Sequence, residues 1–116
     1  MHRLVLALPF LVLAAAPAGA EPADNETIRQ ALSGNTVEGE MALTGPYVEY
    51  YDADGSIRSR DYEGSWRVRD DRMCFRYGEE PATCYEVEID GESVTWLKDG
   101  QENGKGRIVP GNPNGF

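Results

Sequence analysis

An all-β domain is the fold class this chain predicts: a small antiparallel up-and-down meander or barrel of about eight short strands with one short N-terminal helix. Three observations predict it. From Thr36 onward, runs of five to eight residues rich in Val, Ile, Tyr, Trp and Thr alternate with Asp-Gly, Asp-Asp and Gly-rich punctuation, the pattern of hairpin-linked strands. Apolar residues at helical spacing occur only ahead of that region, in Asp24 to Leu32. The whole chain is 116 residues, room for one domain, and its single long apolar run lies at the extreme N-terminus.

That run reads as a secretory signal peptide over residues 1 to 20. Met1-His2-Arg3 is a short positive region, Leu4 to Ala16 is apolar apart from Pro9, and Ala18-Gly19-Ala20 is a small-residue cleavage site before Glu21. The stretch is shorter than the ~20 residues a spanning helix needs, and no Cys follows it to carry lipid. The mature domain is therefore expected at 21 to 116, periplasmic or secreted, without membrane insertion. Asp24 to Leu32 then forms the helix, with Asp24 or Asn25 as N-cap, Ile28, Ala31 and Leu32 on one face, and Ser33-Gly34 as the stop. Its expected role is to cover an open end or edge of the sheet. Asn25-Glu26-Thr27 matches the N-glycosylation pattern, but helix capping accounts for the same residues.

Strands are expected at 36 to 43, 46 to 51, 56 to 62, 64 to 69, 72 to 77, 83 to 89, 92 to 97 and 106 to 109. A two-residue turn at Asp70-Asp71 sets Arg69 opposite Arg72, Val68 opposite Met73 and Trp66 opposite Phe75, so every second pair is apolar on both sides. A turn at Asp90-Gly91 sets Val87 opposite Val94 and Tyr85 opposite Trp96, with Glu86 and Glu88 on the other face. Both faces of 46 to 51 and 56 to 62 carry Tyr or charge, and the pattern leaves their register open. Asp99 to Lys105 reads as a longer loop, and Pro110 to Gly115 as an irregular tail. Eight such strands either close into a barrel, which removes exposed edges, or remain an open curled meander capped by the helix.

Cys74 and Cys84 are the only cysteines, and in an exported chain they are expected to be bonded. Alternation supports the pairing. Met73, Phe75 and Tyr77 face the core, as do Tyr85, Val87 and Ile89, so both sulfurs fall on the outer face of neighbouring strands, with Met73 opposite Tyr85. The C-x9-C spacing is not that of a redox-active C-x-x-C pair.

Without the first 20 residues the chain carries 10 Lys+Arg against 20 Asp+Glu, a charge of −10 on 96 residues. The only histidine, His2, leaves with the signal. The mature chain then holds no imidazole for a Ser-His-Asp or Cys-His nucleophile or for a His-ligated metal, and the serines have no G-x-S-x-G elbow. Its acidity argues against nucleic acid and anionic membrane surfaces as partners. Asp52-Ala53-Asp54-Gly55 departs from an EF-hand loop, because Ile57 stands where that loop needs its glycine and strands replace its helices. Some of the 20 carboxylates must lie close together, yet those that can be registered, Glu86 and Glu88, face water. No cofactor or metal is expected. The candidate ligand-binding residues are aromatic: Trp66, Tyr85 and Trp96, large inward rings with polar atoms that need partners, placed to line an apolar pocket at one barrel end.

Five segments, LSGNTVEG (32 to 39), YVEYYDADGSI (47 to 57), GSWRVRDDRMCFRYG (64 to 78), CYEVEIDG (84 to 91) and GKGRIVPGNPNGF (104 to 116), together resemble a group of small exported alphaproteobacterial proteins similar to the bacterial lipocalin-like domains of unknown function. The resemblance implies a periplasmic β-barrel and transfers no catalytic residue. Two functions are then expected to compete. One is a non-catalytic periplasmic binding or accessory module for a small apolar ligand. The other is an acidic inhibitor that binds a cationic protein, a basic lysozyme-like hydrolase, by charge complementarity.

Overall fold

A computed structural model describes residues 21–116, so the expected signal peptide lies outside the described residues. Among the described residues one helix, α1 (Asn25–Leu32), precedes eight strands: β1 (Asn35–Met41), β2 (Gly45–Tyr51), β3 (Ser56–Arg58), β4 (Glu63–Arg69), β5 (Arg72–Arg76), β6 (Thr83–Asp90), β7 (Ser93–Lys98) and β8 (Gln101–Pro110). Each strand pairs antiparallel with the next, and β8 returns to β1, with Asn35 opposite Pro110 and Met41 opposite Gly104. The sheet is a closed barrel. Closure pairs the first strand with the last, which settles the choice between barrel and open meander.

The helix plugs one end. Asp24 caps it, its carboxylate accepting from the Thr27 N–H at 2.8 Å, and Ile28 and Leu32 are fully buried against Val37, Ile57, Met73 and Val87. Two ties hold the plug in place. The Arg29 guanidinium donates to the Val68 carbonyl at 3.0 Å. Asn25 and Asp71 exchange backbone-to-side-chain bonds at 2.9 and 2.7 Å, joining the helix start to the β4–β5 turn.

The β4–β5 hairpin has the expected register, with Val68 opposite Met73 and Trp66 opposite Phe75. Asp70 and Asp71 both have positive φ, 53° and 55°, as a type I′ turn requires. The disulfide joins Cys74 to Cys84 at directly opposed positions of β5 and β6, with Met73 opposite Tyr85.

Three expectations are corrected. The β6–β7 turn falls at Gly91-Glu92, so Val87 pairs with Trp96 and Ile89 with Val94, two residues from the expected register. A shift of two leaves every side chain on its face, so the apolar pattern is blind to it; Ile89 gains an apolar partner by it. The stretch expected as a loop at 99 to 105 instead turns tightly at Asp99-Gly100, φ 52° and 75°, and pairs from Gln101 onward. Its inward positions, Gly104 and Gly106, carry no apolar side chain and so gave no strand signal. Finally, β3 stops at Arg58. Residues 59 to 62 form a turn in which the Ser59 N–H donates to the Tyr62 carbonyl at 3.1 Å and the Ser59 hydroxyl to Val48 at 2.8 Å.

Candidate functional site

Because the strands alternate direction, the β2–β3, β4–β5 and β6–β7 turns crowd the helix end, and the remaining connections ring the opposite end. There the barrel is not filled. A cavity of about 610 Å³ opens between the β1–β2 turn, the turn at 59 to 62 and the β5–β6 loop. An eight-stranded barrel is wide enough to enclose one small ligand. Here the half nearest the helix is packed and the other half is hollow.

The strand β2 supplies the floor. Tyr47, Glu49 and Tyr51 alternate inward, the reverse of what polarity suggests for Glu49, which is only 5 % exposed. Its carboxylate is held by three phenols from three elements. Tyr51 Oη donates to Oε1 at 2.9 Å, while Tyr62 Oη and Tyr77 Oη each donate to Oε2 at 2.7 Å. Tyr62 and Tyr77 cross edge to face, ring centres 5.8 Å apart. The turn at 59 to 62 therefore has a function in the architecture: leaving the ladder carries Tyr62 over the barrel to reach Glu49.

Burial is the first cause of a raised phenol pKa at each of these tyrosines, and the negative charge and hydrogen bond of Glu49 add to it for Tyr51, Tyr62 and Tyr77. All three stay protonated and act as donors at neutral pH. Burial likewise pushes Tyr47 up to about 12, partly opposed by the bond it receives from Trp96.

A second cluster forms the wall. Trp96, 1 % exposed, donates its indole N–H to Tyr47 Oη at 2.8 Å, and Tyr47 in turn donates to the Lys105 carbonyl at 3.3 Å. Phe75 stands edge-on to Trp96 at 5.2 Å, and Tyr85 lies 5.9 Å from Phe75 and 6.5 Å from Trp96. Such aromatic pairs resist rotation and fix the wall's shape. Gly106 makes room for the cluster: a β-carbon there would lie 2.8 Å from Tyr47 Oη and 2.6 Å from Val37 Cγ1.

Of the three aromatic residues expected to line the pocket, the structure brings Tyr85 and Trp96 to it. Trp66 lies elsewhere. Its ring is edge-on to Tyr51 at 6.3 Å, and its Nε1 donates to the Asp52 carbonyl at 2.9 Å, beside the β2–β3 turn. Tyr51 is the residue that reaches the cavity from that layer. The main polar group, Glu49, was not among the expected residues. Its signal was the spacing Tyr47-x-Glu49-x-Tyr51, a carboxylate sharing a strand face with two aromatics.

The acidic turn at 52 to 55 is a structural device. The Asp52 and Asp54 carboxylates accept from the Asp54 and Ser56 N–H groups at 3.2 and 2.8 Å, and Arg58 bridges both at 3.0 and 3.7 Å. Among the described residues no group of three or more His, Cys, Asp or Glu is arranged to hold a metal ion, and no helix is long and apolar enough to cross a membrane. The class defined by fold and site is thus an eight-stranded antiparallel barrel with a helix at one end and an aromatic cavity at the other. No family model, curated protein or solved structure matches the chain.

Proposed function

We propose that this chain is an exported, non-catalytic binding module that seats a small, largely apolar molecule in the open half of its barrel. One observation carries the reading: a cavity of about 610 Å³, walled by Phe75, Tyr85 and Trp96 and provided with one buried polar anchor, Glu49. That volume lies in the range of small-molecule sites, and apolar walls with a few fixed polar groups are their usual chemistry. Export is supported by the leader pattern of residues 1 to 20 and by the disulfide. The absence of histidine from the mature sequence, together with tyrosines held as neutral donors, favours binding over acid–base or nucleophilic turnover. The resemblance to lipocalin-like domains agrees with this use of a barrel mouth.

Titration of the purified protein with neutral amphiphiles tests it. Trp96 forms part of the wall, so its emission is expected to change saturably on filling the cavity, and Trp96→Phe to remove most of that change. An emission spectrum indifferent to every probe refutes the reading. The acidic balance of the chain supports a second proposal, inhibition of a cationic hydrolase. Association that slows steeply from low to physiological salt distinguishes it from filling of an apolar cavity.

A further inference from the structure

The cavity holds a buried carboxylate with no cation beside it among the described residues. Glu49 is 5 % exposed, and its three partners are neutral hydroxyls. The ion pairs among the described residues, such as Arg58–Asp52 and Arg107–Glu38, lie on the outer surface, and none includes Glu49. No Lys or Arg lines the cavity, whereas a second carboxylate, Glu63, stands on its wall. Burying a carboxylate without a cation is costly. Departures of this kind from sound packing gather at functional sites.

The surroundings are those that favour a cation. Each phenol that donates its proton to Glu49 keeps oxygen lone pairs able to accept from an N–H donor. The rings of Tyr77, Tyr85, Phe75 and Trp96 line the same space, and the electron-rich face of such a ring attracts ammonium groups. An anionic head group would instead meet the buried carboxylate of Glu49, where like charges repel strongly.

Resting on the binding reading above, we infer that the ligand of this cavity is an organic cation: an ammonium group, seated against Glu49 and its tyrosines, on an apolar body that fills the aromatic half of the cavity. The proposal sets this barrel apart from one that carries fatty acids or neutral lipids, for which a buried carboxylate is an obstacle.

Calorimetric and fluorescence titrations at pH 7 with octylammonium, 1-octanol and octanoate test it, because the three share a chain and differ in the charge of the head. Octylammonium is expected to bind roughly 10- to 100-fold more tightly than 1-octanol, the value of a charge-assisted hydrogen bond in a buried site, and octanoate to bind most weakly. Glu49→Gln is expected to collapse the preference for octylammonium over 1-octanol to about threefold or less. The wild-type rank order decides the question even where that variant fails to fold. Equal binding of octylammonium and 1-octanol, or tightest binding of octanoate, overturns the cationic ligand and leaves the binding module standing. Saturable binding of none of the three overturns both.

Discussion

Raising the pH probes the tyrosine shell directly, because the barrel holds several phenols in their neutral form while the unfolded chain releases them. Burial and then the charge of Glu49 raise the pKa of Tyr51, and burial pushes Tyr47 up to about 12. A group whose folded pKa is raised stabilises the fold fully below its unfolded value, near 10, and loses that contribution as pH climbs through the folded value. At pH 11 a phenol that ionises only in the unfolded chain costs the native state about 1.4 kcal/mol, and at pH 12 about 2.7 kcal/mol. Tyr47 alone then removes about 1.4 kcal/mol at pH 11 and about 2.3 kcal/mol at pH 12, and Tyr51 acts in the same direction, with smaller additions from the more exposed Tyr62 and Tyr77. A total stability of about 5–15 kcal/mol places alkaline unfolding above pH 11. Tyrosinate absorbance followed alongside circular dichroism checks this. No more than two of the six tyrosines should ionise below pH 11, and the rest should ionise together with loss of the fold. Glu49→Gln should move that step to lower pH only if its contribution to barrel stability exceeds the repulsion it removes; in the intact shell the phenols of the variant should ionise earlier. Smooth titration of all six near pH 10 in a protein that keeps its spectrum refutes the buried shell.

Two further outcomes follow from the covalent and steric framework. The disulfide closes a segment with a sequence separation of 10, so loop-closure entropy assigns it about 2.7 kcal/mol; Cys74→Ala with Cys84→Ala should lower Tm by about 10–20 °C in calorimetry, and a change of only a degree or two would contradict that share. Gly106→Val drives a β-carbon against the Glu38 carbonyl, 2.8 Å away, and against Tyr47; it should cost at least about 1–3 kcal/mol in urea unfolding and alter Trp96 emission through the displaced Tyr47, whereas wild-type stability and emission would show that the β1–β8 seam gives way freely.

Much of this architecture was legible along the chain because strand faces are a local property. The period of two placed Val68 opposite Met73 and both cysteines on one outer face, and these pairings recur in the barrel. Asp24 and the Ile28–Leu32 stripe likewise announced a capped helix with one buried side. The register of β6–β7 was beyond local reading, since a two-residue slip changes no face; in the barrel Ile89 lies opposite Val94. The strand β8 was hidden for a different reason: at Gly104 and Gly106 the space a side chain would need is taken by Met41, Val37 and Tyr47 and by the β1 backbone, a requirement that exists only once the barrel closes. The candidate site is the most tertiary feature of all. Tyr51 lies two residues from Glu49, but Tyr62 and Tyr77 lie 13 and 28 residues away, and the departure of residues 59 to 62 from the ladder brings Tyr62 over the opening. Composition and periodicity determined a helix, a set of faces and a bridge; barrel closure decided which aromatics meet, which one, Trp66, is left out of the cavity, and why a carboxylate lies inside. The reason is physical: local patterns record whether a side chain faces water, whereas a cavity is made by residues whose distances are set by the closed sheet.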